Sequence, residues 1–305
     1  MSGSGVTRFL FPRLDIRGAC AQLRGAWREM RADRGYAPAT AELLGEIAAV
    51  ASLIAAQLKQ PGRLTLQLRG EGPVSLLLVD CDGTADETHT THATLSLRGM
   101  ARAPANLSPA PAAQLLGVDK GGQLLLSLDL PEMRHPYQSF VPLHGETLAE
   151  IFTHYLEQSE QQSAFLSLAA DENTAFALFL QKMPNADAAD PDGWNRLTQL
   201  AATARREELL TLEPTALLQR LFPEDIAAGE MDEQGGLRLF PVQPVVHHCP
   251  DSREKITALL RSWGQAEAEA MLAEKGEIVI CDEIGNRAYH FDAAEIERIF
   301  AMSTH

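Results

Sequence analysis

From Thr40 to Lys59 the chain carries Leu43, Leu44, Ile47, Ala48, Ala51, Ile54, Ala55 and Leu58, a helical spacing that leaves little polar face. Such a helix is stable in water only when other elements cover several of its sides. Thr40 is placed to cap its start, and Pro61-Gly62 closes it. The next residues supply strands to cover it. Arg63–Arg69 alternates strictly, with Leu64, Leu66 and Leu68 on one face and Arg63, Thr65, Gln67 and Arg69 on the other. After the turn Gly70-Glu71-Gly72-Pro73, the run Leu76-Leu77-Leu78-Val79 reads as a strand covered on both faces. Gly70 and Gly72 do not make a nucleotide loop, because Pro73 follows and no helix opens there.

The remaining elements follow the same signals. Arg8–Phe11 and Leu14–Gln22 read as strands, Ala26–Ala32 as a short helix, and Thr88–Arg102 as a strand region after the polar turn Asp82–Glu87. Ala112–Gly117 is a helical turn, Gln123–Leu128 and Gln138–Pro142 are strands, and Thr147–Glu157 is an amphipathic helix. Ala164–Ala169 and Ala175–Gln181 form a further hairpin. Sheet and helix are mixed without a βαβ rhythm, which predicts the α+β class. Asn185–Asp192 is an acidic boundary. Beyond it one helix carries Trp194, Leu197, Leu200, Ala201 and Ala204 and ends on Arg205–Glu208. A second starts at Pro214 and carries Leu217, Leu218, Leu221 and Phe222. Asp225–Gly236 is polar and expected to be mobile.

The end of the chain reads as a small helix–hairpin–helix module. Ser252–Trp263 has one apolar face in Ile256, Leu259, Leu260 and Trp263, and Asp251 with Glu254 has the spacing of a capping box. A cap at Asp251 is worth about 0.5–2 kcal/mol over alanine. A short helix Ala266–Glu274 stops at Gly276, Glu277–Cys281 and Arg287–Phe291 pair across a tight turn, and Asp292 with Glu295 starts a last helix. Two of the four cysteines, Cys249 and Cys281, stand beside turns of this module.

Composition narrows the function. With 41 acidic and 26 basic side chains the net charge is −15, a field that repels phosphate backbones and argues against nucleic acid as a partner. No apolar run is expected to span a bilayer, so no membrane role is expected, and Met1–Arg13 lacks the pattern of a signal peptide. Four scattered cysteines do not form a disulfide framework, so a reducing cytoplasm is the expected compartment.

Several segments resemble the 33 kDa chaperonins, the redox-regulated heat-shock holdase family. They are RFLF at Arg8, GEGP at Gly70, RGMARA at Arg98, LHGETLA at Leu143, YLEQSEQ at Tyr155, LQKMPNA at Leu180 and EELLTL at Glu207. Near the end, SREK at Ser252, AEKGEI at Ala273 and the Cys281-x-x-x-Gly285-Asn286 turn resemble that family's redox module. The resemblance implies a core chaperone domain over 1–184, a helical linker over 185–243 and a redox-switch-like module over 244–305. It also implies a protein that is no enzyme and holds unfolding clients without ATP, with a homodimer left open. In the family the module binds zinc through a C-x-C pair and a C-x-x-C pair. Here the corresponding stretches are Cys249-Pro250-Asp251 and Cys281-Asp282-Glu283-Ile284, so half of the thiolates are absent.

Zinc wants four tetrahedral ligands. Cys249 and Cys281 are the remnant of such a site, with His247 and Asp251 as substitute ligands and His248, Asp282, Glu283 and His290 nearby. No cofactor is firmly implied, and zinc is the one metal to consider. The two thiols are also the redox candidates, since only a Cys249–Cys281 bridge remains. Ile284 cannot bind metal, and it is expected to add apolar area to the module's core. Cys20 and Cys81 read as buried structural thiols. The reading from another class is a thiol enzyme using Cys249, with the neighbouring His248 as its base; neighbours on a strand point to opposite faces, which counts against it.

Overall fold

The computed structural model describes residues 3–83, 94–227 and 236–301. Of the turn expected over Asp82–Glu87, residues 84–87 lie outside the described residues, as do the first residues of the strand expected from Thr88 and residues 228–235 of the polar segment Asp225–Gly236. Asp82 itself ends a strand, and Asp225–Ala227 end a short helix, Pro223–Ala227. The chain divides into two compact units, Met1–His247 and His248–His305.

The strands of the first unit are β1 (Gly5–Phe11), β2 (Ile16–Leu23), β3 (Arg63–Arg69), β4 (Leu76–Asp82), β5 (Leu95–Arg102), β6 (Gln123–Asp129), β7 (Tyr137–Pro142), β8 (Ala164–Ala170), β9 (Ala175–Lys182), β10 (Arg238–Leu239) and β11 (Gln243–His247). They form one mixed sheet in the order β7-β6-β3-β4-β5-β11-β1-β2-β9-β8, with β10 alongside β1. All described pairings in it are antiparallel except β5 with β11, where Val245, Val246 and His247 lie beside Leu95, Ser96 and Leu97. On its other side β11 meets β1 through Pro244 and Gln243. This short strand is therefore the seam joining two hairpin arrays.

The apolar helix runs from Pro38 to Ala55 and packs across β4, β5, β8 and β9. It is long and apolar enough to span a bilayer by composition, yet 78% of it is buried inside the protein: it is the core helix. Its start differs from expectation. Pro38 holds the first position, where its missing N–H costs nothing, so Thr40 falls inside the first turn with a buried, unbonded Oγ1. Gly45 permits the close approach to the sheet, since a Cβ there would lie 2.6 Å from the Ala170 Cβ. The helix Leu148–Glu160 starts where expected, with Thr147 accepting from the Glu150 N–H.

Strand β9 is buried on both faces. Ala175, Ala177 and Phe179 face the core helix, and Phe176, Leu178 and Leu180 face a second apolar cluster. On β4, Asp80 is only 2% exposed and is held by Arg63, Thr65 and Arg98, the last at 2.9 Å. A buried carboxylate with that many donors is satisfied.

The second unit contains helices Arg253–Trp263 and Gln265–Lys275, the hairpin β12 (Ile278–Asp282) and β13 (Arg287–Phe291), and the helix Ala293–Ala301. Gly276 ends the second helix at φ +79°. Asp292 and Glu295 cap the last helix reciprocally, at 2.8 and 3.3 Å. The core is Ile256, Leu260, Ala268, Ile278, Tyr289, Phe291 and Ile296. Trp263 and Leu259, expected inside, are 40% and 44% exposed, and Ile284 stays outside the buried cluster.

Candidate functional site

Two regions carry the residues of interest, one in each unit. In the first, Phe9, Phe11, Ile16, Cys20, Phe176, Leu178 and Leu180 form an apolar layer on one face of the sheet. Helices Gly193–Ala202, Arg206–Thr211 and Pro214–Leu221 cover it with Leu197, Ala201, Leu209, Leu217, Leu218 and Leu221. Phe222 meets Phe11 edge-on at 5.2 Å. Covering that layer removes a large apolar area from water, at about 25 cal/mol per Å². The sequence pattern reads Arg205–Glu208 as the end of one helix; instead Thr203 ends it and a new helix opens at Arg206, with Glu208 reaching back to the Arg205 N–H at 2.8 Å.

The rim of the cover is polar. Gln22 Nε2 donates to the Leu212 carbonyl oxygen at 2.7 Å, and Arg24 donates to the Thr211 carbonyl oxygen at 3.1 Å while pairing with Glu213. Arg206 pairs with Glu42 of the core helix at 2.7 Å and also donates to the Ala170 carbonyl oxygen. One turn along that helix, burial chiefly, with Glu42 adding to it and Arg206 opposing it, pushes the Glu46 carboxyl up to about 7. None of these rim residues stands out from sequence, because each pairs with a residue far away in the chain. Cys20 and Cys81 are buried as expected, and burial pushes the Cys81 thiol up to about 12 and the Cys20 thiol further still.

In the second unit the anticipated ligands do not converge. Cys281 is exposed on β12, beside Val279 on the outer face of the hairpin, with Ala288 and His290 opposite them on β13. His290 pairs with Glu277 at 3.2 Å. Cys249 Sγ donates to the Ile284 carbonyl oxygen at 3.8 Å. His247 belongs to the first unit, where its Nδ1 lies 2.9 Å from the Leu97 carbonyl oxygen.

Asp251 is not the helix cap; Ser252 holds that place. Instead its Oδ1 accepts from the Arg253 N–H at 3.0 Å and from the Tyr289 hydroxyl at 2.8 Å, contacts that hold its carboxyl below the usual range. Asp282 is engaged at both oxygens, by Ser252 Oγ at 2.7 Å and by the Gly285 N–H at 2.9 Å. Among the described residues no three His, Cys, Asp or Glu side chains gather as a metal site. A four-ligand zinc centre does not fit this donor set, because Ile284 supplies no ligand and both nearby aspartates are already bonded to protein. Sequence reasoning missed Tyr289 as a participant. Its signal was an inward-facing strand tyrosine whose hydroxyl requires a partner.

The model of the family described as Hsp33 protein matches residues 4–292. The 33 kDa chaperonin of Methylobacillus flagellatus is 36% identical over 295 residues, covering 96% of this chain and 93% of that protein. That of Ectopseudomonas mendocina is 38% identical over 299 residues, covering 96% and 94%. The crystal structure of the 33 kDa chaperonin (heat shock protein 33 homolog) of Thermotoga maritima superimposes with a TM-score of 0.76 at 20% identity, over 98% of each chain, and shares the fold. With a match along almost its whole length and relatives of this similarity, the chain belongs to the Hsp33 family.

Proposed function

We propose that this chain is an ATP-independent holdase, which binds unfolding proteins and keeps them from aggregating. Family membership supports the chaperone class, and the covered apolar layer supports where clients would bind. That layer, led by Phe9, Phe11, Phe176 and Leu178, is the single observation that carries the reading. The helices between Gly193 and Leu221 act as a linker in this proposal: docked, they hide the layer; undocked, they release it. Unfolding clients expose apolar segments, which match such a surface without sequence specificity. The protein works in the cytoplasm, and a homodimer is compatible with this scheme.

The redox arm of the family's regulation is altered here. Two thiols in place of four leave no closely spaced pair to oxidise, so heat acting on the linker is the main trigger. Suppression of light scattering from a heat-denatured model protein tests the proposal, with native and with alkylated cysteines. Suppression in both conditions supports a holdase independent of thiols. Absence of suppression at every temperature refutes the proposal, and a thiol-dependent chemical activity without suppression would favour a thiol enzyme using Cys249.

A further inference from the structure

The loop Cys249–Ser252 and the hairpin turn Asp282–Asn286 meet where the family resemblance implies a metal, yet side chains already join them. Four polar groups form a continuous chain. The Ser252 N–H donates to the Tyr289 hydroxyl at 2.9 Å, and that hydroxyl donates to Asp251 Oδ1 at 2.8 Å. Ser252 Oγ donates to Asp282 Oδ2 at 2.7 Å, and Asp282 Oδ1 accepts the Gly285 N–H at 2.9 Å. A Cβ at Gly285 would stand 2.8 Å from Asp282 Oδ2, so a larger residue there would push against the Asp282 carboxylate. Cys249 Sγ lies beside this chain, 3.8 Å from the Ile284 carbonyl oxygen, and is not one of its four groups.

We infer that this hydrogen-bonded clasp, Tyr289–Asp251–Ser252–Asp282, closes the C-terminal unit in place of zinc, so that the unit folds without metal and keeps its fold when its thiols are oxidised. Three observations support this. Asp282 spends both oxygens on protein donors and Asp251 spends Oδ1, so a metal drawing on those three oxygens would compete with the clasp. Cys281 lies on the outer face of the hairpin, whereas Tyr289 faces inward, 7% exposed, to reach the loop. The unit also has ties beyond the clasp. Arg253 pairs with Glu295 and stacks over the Phe291 ring at 5.0 Å, and Arg261 Nε donates to the Ile299 carbonyl oxygen at 3.3 Å. A unit this small draws only a few kcal/mol from its single core, so the clasp and these ties are a sizeable share of its stability.

The inference does not depend on whether the chain holds clients. Its test is hydrogen exchange of the 278–291 peptides in the full-length protein, read by mass spectrometry beside the zinc content of the same sample. The expected result is zinc far below one equivalent, with protection unchanged by a chelator, by peroxide or by the double change Cys249→Ser, Cys281→Ser. Tyr289→Phe, which removes two hydrogen bonds and little volume, should lower protection roughly tenfold, and Ser252→Ala by a similar factor. Near-stoichiometric zinc whose removal exposes the hairpin would overturn the inference. So would protection that survives Tyr289→Phe and Ser252→Ala but is lost in the double cysteine variant.

Discussion

Arg206 places a guanidinium nitrogen 2.7 Å from Glu42 Oε1, tying the first turn of a covering helix to the core helix beneath it. The same guanidinium donates to the Ala170 carbonyl oxygen at the end of β8. Arg24 makes the matching tie at the other end of that helix, through Thr211 and Glu213. Exposed ion pairs are worth only about 0.2–1 kcal/mol each, so Arg206→Ala or Arg24→Ala should leave the fold intact. Together the two changes should loosen the cover by about 1–2 kcal/mol, adding the lost bonds to carbonyls. Limited proteolysis within 193–221 should quicken severalfold in the double variant while the rest of the chain resists. Cleavage at the wild-type rate would show that the rim does not hold the cover.

The apolar contacts beneath should matter more. Leu218 is 1% exposed, and Leu218→Asp would bury an unpaired carboxylate at a cost of several kcal/mol, enough to undock its helix. Aggregation suppression at ordinary temperature should then rise. Leu200 is only partly buried, so Leu200→Asp should act in the same direction and more weakly. Equal activity of a still-folded Leu218→Asp protein and the wild type would count against the covered layer as the client surface.

Glu46 gives a pH dependence with a definite sign. Its carboxyl titrates at about 7 in the folded protein, raised from 4.5 chiefly by burial. Between those values the folded state binds the proton that the unfolded chain has released, so this group makes stability fall as pH rises from 4.5 to 7. Glu46→Gln removes the penalty. The variant should match wild type near pH 4.5 and exceed it at pH 8 by roughly 1–3 kcal/mol in urea titrations. A constant difference across that range would mean that Glu46 is not the group responsible.

Peroxide at moderate temperature should activate the wild type weakly. Cys281 faces away from the loop that carries Cys249's neighbours Asp251 and Ser252, so oxidation lacks a prearranged pair to close. The wild type and a Cys249→Ser, Cys281→Ser variant should therefore suppress aggregation equally after peroxide. Strong activation confined to the wild type would show that the two thiols still run a switch.

The sequence was most legible where neighbours in the chain decide the structure. The alternation of Arg63–Arg69 sets the strand β3 with both ends as expected, the Thr147 cap opens its helix, and Asp292 with Glu295 opens the last one. It was least legible where distant residues decide. Asp251 has the spacing of a cap, but Tyr289, far along the chain, takes its carboxylate instead. Thr40 lost the helix start to Pro38, whose fixed φ suits the first turn better. The thiols signalled a metal by resemblance, while the clasp that joins their loops depends on a tyrosine no spacing rule marks. Pairing of Val245–His247 with β5 is a parallel contact between remote segments, which no local pattern encodes.

That parallel contact has a consequence for how the protein is made. β5 ends at Arg102, and its partner β11 ends at His247, about 145 residues later, roughly 7–30 s of synthesis at 5–20 residues per second. Until then the edge of β5 is open, and so is the side of β1 that β11 will occupy. A protein that keeps others from aggregating must itself pass through nascent stages with two unpaired strand edges. Its own newborn chains thus keep these two edges open to wrong pairing until this late five-residue strand arrives.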